Sequence, residues 1–407
     1  MQHTVAGSDA DTSRRPPRRV LMALSITQIT SWGVLYYAFP VALADISADT
    51  GWSPTAATAA FSGGLIVSAL AGIPVGRWLD HHGPRRVMTA GSLLAVPATA
   101  GIALAQTYPL FVLAWLVAGV AMAAVFYQAA FAALTRWYGE ARVKALTALT
   151  LVAGLSSTIF APLTHELLER VSWRATYLLL ALLLALVTIP LHAFALTPPW
   201  VGIGATGAWD IAGRRRLPAE VRSPGFLLLA GALTLTAFGL YAASLALIPL
   251  LTGRGFSSGL AATTLGLLGA GQLLGRIGYG PLASRTRPAG RTVAIVLVSA
   301  VTIGLLAAVP GPTALLVTAA ILAGAARGAG TLLQATVVAD RWGAERYGTL
   351  SGYFAAPITA AAAIAPWAGI ALADVAGGYP AMFGVLAALV AGAAGLAAFS
   401  ARTEVIR

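Results

Sequence analysis

GQLLGRIGYGPLASRTR, residues 271–287, runs from an apolar segment into a basic turn and carries an arginine inside its apolar part. A charged side chain at membrane depth costs about 3 kcal/mol or more, so Arg276 is predicted to serve a function. Gln272 lies four residues earlier and projects from the same helix face. Residues 76–86 echo the stretch in the first half of the chain. The pattern predicts a duplicated membrane protein in which one copy of this element holds a buried cation.

The composition is that of a membrane protein. Hydrophobic residues make up 58% of the chain, charged residues 10%, and the mean hydropathy is +0.80, whereas soluble domains carry about 25% charged residues. The net charge of +12 is spread over short loops between apolar segments, which argues against a nucleic-acid partner. The chain has no cysteine, which excludes disulfides, thiol catalysis and cysteine-ligated metals.

About twelve apolar segments are long enough to cross a bilayer, at roughly 20 residues per crossing. The first is too long for a signal peptide, whose apolar core spans about 7–15 residues, so we expect it to be an uncleaved helix. The predicted spans are 20–45, 55–76, 87–106, 109–135, 144–164, 174–197, 226–252, 258–282, 290–309, 312–338, 347–372 and 379–401.

The two halves of the chain repeat each other. Gly119 and Arg136 in the fourth segment correspond to Gly324 and Arg341 in the tenth, both at an offset of 205 residues. We therefore predict an all-α membrane protein with twelve transmembrane helices in two pseudo-symmetric six-helix bundles. Its predicted parts are a disordered cytoplasmic tail 1–19, bundles 20–197 and 226–401, a cytoplasmic linker 198–225 and a cytoplasmic tail 402–407.

The loop charges predict the orientation. If the amino terminus is cytoplasmic, 21 of the 26 Lys and Arg residues lie in cytoplasmic tails and loops and three lie outside. The other two, Arg276 and Arg327, lie within apolar segments. By the positive-inside rule, we expect a multi-pass protein of the cytoplasmic (inner) membrane with both termini in the cytoplasm.

The turn between the second and third segments reads GRWLDHHGPRR, residues 76–86. Its glycines permit close helix approach and a tight turn, and its aspartate can cap a helix end or pair with a basic neighbour. An ordinary positive-inside loop is the alternative interpretation, but the spacing is more specific. The motif resembles the signature loop of the major facilitator superfamily, and the resemblance covers the whole chain. It implies a conformational gating loop that contains Gly76, Asp80, Gly83, Arg85 and Arg86.

A weaker second copy of this loop follows the eighth segment. Ser284 stands there in place of Asp80, so we expect a weaker contact between the bundles on that side.

A narrower resemblance is to the monocarboxylate transporters and their bacterial oxalate-type relatives. It is carried by YAFP at 37–40, by Arg276 with Gly280 and by Ala153 with Gly154, and it implies that Arg276 binds substrate. Two positions depart from the family pattern. Val41 replaces a lysine found in many members, and Gln272 replaces the aspartate of proton-coupled members, so coupling through those residues is not implied.

The candidate substrate-binding residues are the two arginines and the polar or aromatic residues of segments that the resemblance places around or beside a central cavity. They are Arg276, Arg327, Tyr36, Trp32, Gln272, Tyr37, Gln28, Tyr127, Gln128, Tyr241 and Tyr353. Each has a structural alternative: the arginines can bind backbone carbonyls or extend to the headgroups, and the aromatic rings can pack between helices.

The sequence thus predicts a secondary active transporter that moves a small organic anion, a monocarboxylate such as lactate or pyruvate, by alternating access. We expect a monomer in a lipid bilayer, coupled to protons or to a counter-transported anion. No enzymatic, metal or cofactor motif is found. The alternative is an exporter of drugs or other apolar or cationic small molecules, which the absence of carboxylates within the spans disfavours. A non-transporting membrane sensor or scaffold is a third interpretation.

Overall fold

The structure, a computed structural model, describes residues 18–200, 202 and 217–402, and all regular structure in them is helical. The first half contains α1 Arg18–Trp32, α2 Ala38–Thr50, α3 Pro54–Leu104, α4 Tyr108–Val125, α5 Tyr127–Tyr138, α6 Arg142–Ala153, α7 Ser156–Leu168 and α8 Trp173–Pro190. The second half contains α9 Pro224–Leu245, α10 Leu247–Gly253, α11 Ser258–Arg285, α12 Pro288–Ala308, α13 Thr313–Trp342, α14 Tyr347–Ala376 and α15 Tyr379–Arg402. Most of the predicted amino-terminal tail (1–17) and carboxyl-terminal tail (403–407), and linker residues 201 and 203–216, lie outside the described residues.

The helices account for the predicted number of crossings. Within the described residues, nine stretches are long and apolar enough to span a membrane, and two of them, Pro54–Leu104 and Tyr108–Leu168, are long enough to cross twice. The first of these two turns at Gly83, whose φ of 79° lies in the left-handed region that favours glycine. A 3-10 turn, Gly139–Ala141, divides the second. With α11, which is not among the nine, the described chain provides twelve crossings.

The sequence repeat is also a repeat of helix contacts. A Cβ atom on Gly119 of α4 would overlap the carbonyl oxygen of Gly64 in α3, and a Cβ on Gly324 of α13 would overlap that of Leu268 in α11. Small residues allow membrane helices to approach until their backbones touch. The same close contact therefore recurs in both halves, about 205 residues apart.

The two halves meet at the end of the bundle that carries loop 77–86 and loop 285–291, which we call the basic face. A Cβ on Gly76 would overlap the carbonyl oxygen of Gly348, so α3 and α14 touch there. Asp340 of the second half pairs with Arg142 of the first at 2.7 Å and with Arg291 of its own half at 2.6 Å. By contrast, α2, α7 and α10 pack mainly against helices of their own half. The main contacts between the halves are therefore at the basic face.

Candidate binding cavity

A cavity of about 840 Å³ lies between the two halves. Its described lining comes from both halves and includes Trp32, Tyr36, Tyr37, Phe126, Tyr127, Gln128, Tyr241, Gln272, Arg276 and Arg327. A cavity of this size is typical of small-molecule sites.

Interrupted helices shape the first-half side of the cavity. Five residues between α1 and α2, Gly33–Tyr37, form a π-helical turn, and Phe126 is extended between α4 and α5. Such interruptions turn side chains away from the regular helix face and are frequent at functional sites. The amide of Gln28 donates to the carbonyl of Val125 at 2.6 Å, beside the break at Phe126. Ser156 of α7 donates to the carbonyl of Ile29 at 2.7 Å.

These interruptions bring together an aromatic cluster, defined as Trp32, Tyr36, Tyr37, Phe126 and Tyr127. Trp32 stacks on Phe126 with ring centroids 4.2 Å apart and nearly parallel planes. The rings of Tyr36 and Tyr127 lie 5.3 and 5.2 Å from that of Trp32. The cluster forms a largely apolar surface with phenol hydroxyls on it, which suits a ligand with a hydrophobic body and polar substituents.

Arg276 extends from α11 to the first half. Its Nη1 donates to the carbonyl oxygen of Thr150 in α6 at 2.7 Å. A Cβ on Gly154 would lie 2.7 Å from that nitrogen, so the absence of a side chain at 154 leaves room for the guanidinium. The half-buried side chain lines the cavity, and its buried Nε has no hydrogen-bond partner in the described part of the protein. The guanidinium therefore lies at the cavity with one hydrogen bond to the first half and one buried nitrogen that has no partner among the described residues.

Arg327 is held by α9. Its Nη1 donates to the hydroxyl of Ser244 at 3.0 Å, and its guanidinium carbon lies 4.0 Å from the ring centroid of Tyr241. The face of an aromatic ring attracts a cation, so this arginine is more completely satisfied by the protein than Arg276 is.

The charge of the cavity is positive. Among its described lining residues, Arg276 and Arg327 are the only charged side chains, and none is an aspartate or glutamate. Two cations without a carboxylate beside them attract an anion, and more strongly where water is partly excluded.

The sequence profile of the Major Facilitator Superfamily matches residues 21–314, which is well over half of the chain. The chain belongs to this superfamily. It is therefore a multi-pass membrane protein of a transporter family whose members are generally carriers rather than enzymes.

Two solved structures share the fold of this major facilitator protein. The E. coli fucose:proton symporter FucP superposes with a TM-score of 0.70 over 95% of this chain and 99% of that chain, at 16% identity. A structure of the transporter FucP in the outward conformation gives a TM-score of 0.69 over 93% of this chain and 98% of that chain, also at 16% identity. An MFS-type transporter from Gibberella moniliformis (strain M3125 / FGSC 7600) is 28% identical over 148 residues. That match spans 35% of this chain and 34% of the relative.

Nine of the eleven candidate binding residues line the cavity in this major facilitator fold. They are Arg276, Arg327, Tyr36, Trp32, Gln272, Tyr37, Tyr127, Gln128 and Tyr241. Their role in binding stays a prediction. Of these, Gln128 also donates to the carbonyl of Gly72 at 3.0 Å, so part of its amide is already bonded within the protein.

The other two candidates lie elsewhere. Gln28 is fully buried behind the cavity lining, where its amide donates to the carbonyl of Val125. Tyr353 lies near the basic end of α14, where its hydroxyl accepts a hydrogen bond from Arg77 and its ring centroid lies 5.3 Å from that guanidinium. Phe126 lines the cavity but was not predicted, because no glycine or proline marks the break at which it lies.

The loop with the superfamily motif contacts the opposite half. Asp80 is buried in the turn between the second and third crossings, and its carboxylate accepts hydrogen bonds from the amides of Gly348 at 2.9 Å and Thr349 at 2.6 Å. These amides belong to the first turn of α14, where the helix dipole favours a negative charge. Burial raises the pKa of the Asp80 carboxyl, and the bonds from Thr349 and Gly348 oppose that shift. Contact with α14 therefore favours the ionised form of this buried carboxyl.

One other residue of the loop holds it in place. Arg85 donates to the carbonyl of Ala193 at 2.6 Å, whereas Arg86 is exposed. In the second copy, Ser284 donates to the carbonyl of Pro281 in its own helix at 3.0 Å and makes no such bond to the first half in the described residues.

Trp200, at the start of the linker, covers this loop. Its indole nitrogen donates to the carbonyl of Asp80 at 3.1 Å, its ring lies against Gly83, and the guanidinium of Arg136 lies 4.2 Å from its ring centroid.

We expect Trp200→Ala to lower the free energy of unfolding by about 1–2 kcal/mol, because one hydrogen bond and one cation–π contact are lost. Thermal unfolding of the purified protein measures the change. Trp367→Ala is the matched control, because that ring is 76% exposed; equal effects of the two variants would contradict a role for Trp200 in holding the loop.

Proposed function

We propose that this protein is a secondary active transporter that moves a small organic anion, a monocarboxylate such as lactate or pyruvate, by alternating access. The observation that carries the proposal is the charge of the central cavity: its described lining contains two arginines and no acidic residue. A buried cation without a counter-ion is costly, and a carboxylate substrate supplies the missing charge.

Arg276 is the proposed anchor for the carboxylate. The planar guanidinium presents several N–H donors in a fixed geometry and binds carboxylates bidentately. Within the described residues, Arg276 makes one hydrogen bond, to the carbonyl of Thr150. Arg327 is already held by Ser244 and Tyr241, so we assign it a supporting electrostatic role. The hydroxyls of Tyr36 and Tyr37 supply donors for a second polar group of the substrate.

The cavity is far larger than a three-carbon acid, so a small substrate contacts both halves only when they close around it. The basic face, which the positive-inside rule assigns to the cytoplasm, is the side on which the halves meet. The protein would thus be open to the outside in this state, and the rocking of the two halves would expose the cavity to the cytoplasm.

Energy coupling is proposed to use the substrate itself. No carboxylate lines the described cavity, and the lining residue Gln272 cannot carry a proton. The protein therefore exchanges one anion for another, or moves the proton together with the substrate. Recording pH beside anion flux in vesicles distinguishes these two modes.

The runner-up is export of apolar or cationic compounds. The aromatic cluster suits an apolar ligand, but a cation would have to approach Arg276 and Arg327, and like charges repel in a cavity of low dielectric constant.

The direct test is a ligand screen by thermal unfolding of the purified protein. A ligand that binds the folded form raises its melting temperature, so small carboxylates at millimolar concentration are expected to raise it by several degrees, and quaternary ammonium compounds are expected to leave it unchanged. Uptake of the best carboxylate into proteoliposomes then establishes transport. Stabilisation by cationic or neutral drugs alone would reject the anion proposal in favour of the exporter.

A further inference from the structure

A second cavity, of about 970 Å³, opens between α6 of the first half and α11 and α12 of the second. We call it the basic recess. Its charged lining residues are Arg142, Lys144, Arg285, Arg291, Glu140 and Asp340. Its apolar lining includes Ala148, Leu151 and Ile277. The recess is separate from the central cavity, because the two share no lining residue.

Half of the cations in the recess are already paired. Arg142 and Arg291 share Asp340, at 2.7 and 2.6 Å. Lys144 and Arg285 are exposed, and neither forms an ion pair or a side-chain hydrogen bond within residues 18–200, 202 and 217–402. The lining holds four cationic and two acidic side chains, so the recess carries a net positive charge. Lys144 and Arg285 are the two cations available to a ligand.

The internal repeat shows what is missing there. At the first seam between the halves, Asp80 caps the start of α14. The residue corresponding to Asp80 in the second copy is Ser284, and the helix corresponding to α14 is α6. No side chain caps the start of α6, and Ser284 bonds within its own helix. The start of α6 therefore lacks the capping carboxylate that the start of α14 has. Asp340 joins the halves at this second seam through Arg142 instead, and the remaining cations and the uncapped helix start favour an anion.

The apolar part of the recess indicates the kind of anion. Leu151 and Ile277 extend the lining away from the charged end, and Ile277 is 56% exposed. An exposed isoleucine on a membrane helix is expected to contact acyl chains, and juxtamembrane Lys and Arg residues bind anionic headgroups. The recess is thus basic at one end and lipophilic at the other.

We propose that the basic recess binds a phosphate group, presented by an anionic phospholipid whose acyl chain lies along Leu151 and Ile277. The headgroup contacts Lys144 and Arg285 and joins the first half to the second, as Asp80 does at the other seam. This inference does not depend on which solute the central cavity carries.

The test measures thermal unfolding of the full-length protein in neutral detergent, with added phosphatidylglycerol, phosphatidylcholine or inorganic phosphate. Phosphatidylglycerol is expected to raise the melting temperature, and phosphatidylcholine is not. The double variant K144A/R285A is expected to bind phosphatidylglycerol about tenfold more weakly or worse, since each cation near the surface adds to the attraction. The matched control R222A/R402A removes the same charge from exposed residues of the basic face that do not line the recess.

A second variant tests the proposal independently if K144A/R285A folds poorly. Ser284→Asp places a carboxylate at the position equivalent to Asp80, so it is expected to abolish the lipid-dependent shift without lowering the melting temperature in the absence of lipid. A rise with inorganic phosphate alone, lost in K144A/R285A, supports the phosphate site and identifies the free ion as its source. Two results would overturn the proposal. In the first, phosphatidylglycerol raises the melting temperature equally in the wild type, K144A/R285A, R222A/R402A and Ser284→Asp. In the second, it raises the melting temperature of none of these proteins.

Discussion

Replacing Arg276 by alanine is expected to lower the rate of carboxylate uptake by about 100-fold or more, because two charge-assisted hydrogen bonds to the substrate are lost. The guanidinium is half-buried at the cavity and bonded to a carbonyl of the opposite half. Its loss removes both the proposed anchor for the anion and a contact between the halves. Uptake of labelled lactate into proteoliposomes measures the effect.

Arg276→Lys separates charge from geometry. Lysine keeps the positive charge but lacks the planar fork, so it cannot bind a carboxylate bidentately while it donates to Thr150. We expect an intermediate loss of about tenfold.

Arg287→Ala is the control for both substitutions, because that exposed arginine follows the same helix and does not line the cavity. Melting temperatures show whether each variant folds. Full uptake by a folded Arg276→Ala protein would disprove the binding role of this residue.

Asp80→Asn is expected to shift the protein away from the state in which the basic face is closed, by about tenfold or more. A hydrogen bond to a charged group contributes about 1.5–3 kcal/mol, and asparagine offers one acceptor where the carboxylate offers two oxygens to the amides of Gly348 and Thr349. One of these amides would then face an NH₂ group or lose its partner.

The chain suits a distance measurement because it contains no cysteine. Spin labels on cysteines introduced at the exposed positions Arg86 and Gly290 report the separation of the halves at the basic face. Asp80→Asn is expected to increase the longer distances and to slow transport. Ser284→Ala is the matched control, because that hydroxyl bonds only within its own helix in the described residues. An unchanged distance distribution in Asp80→Asn would show that the carboxylate does not hold the halves together.

Hydropathy and charge were sufficient to predict the architecture. Each crossing must satisfy its backbone within a helix, so apolar segments of spanning length translate directly into helices. The placement of Arg276 and Arg327 at the cavity also followed from the sequence, because an arginine in an apolar segment faces the protein interior. Tyr353 was predictable in principle, since it lies only six residues after the first residue of α14 and therefore near the basic face.

The local departures were not predictable. Gln28 and Trp32 are four residues apart and share a face of an ideal helix, yet only Trp32 lines the cavity. The π-helical turn Gly33–Tyr37 and the break at Phe126 alter the directions of side chains there. Neither interruption carries a proline, and the break at Phe126 has no glycine beside it. The break at Phe126 lies beside a contact between distant residues, Gln28 with Val125, which local propensity does not encode.

The start of α14 is capped by Asp80, whereas no described side chain caps the start of α6. This difference has a mechanical consequence. The Asp80 junction is reinforced by the backbone contact between Gly76 and Gly348. The weaker junction, at α6, is held by the ion pair of Arg142 with Asp340 beside the open recess and by whatever the surroundings supply. When the bundle reverses its access, the weaker junction should part first, so that the movement begins as a roll about the Asp80 side rather than as a parallel separation. Water would then enter along α6 before it reaches α14, and the composition of the surrounding bilayer would influence how often the cycle starts.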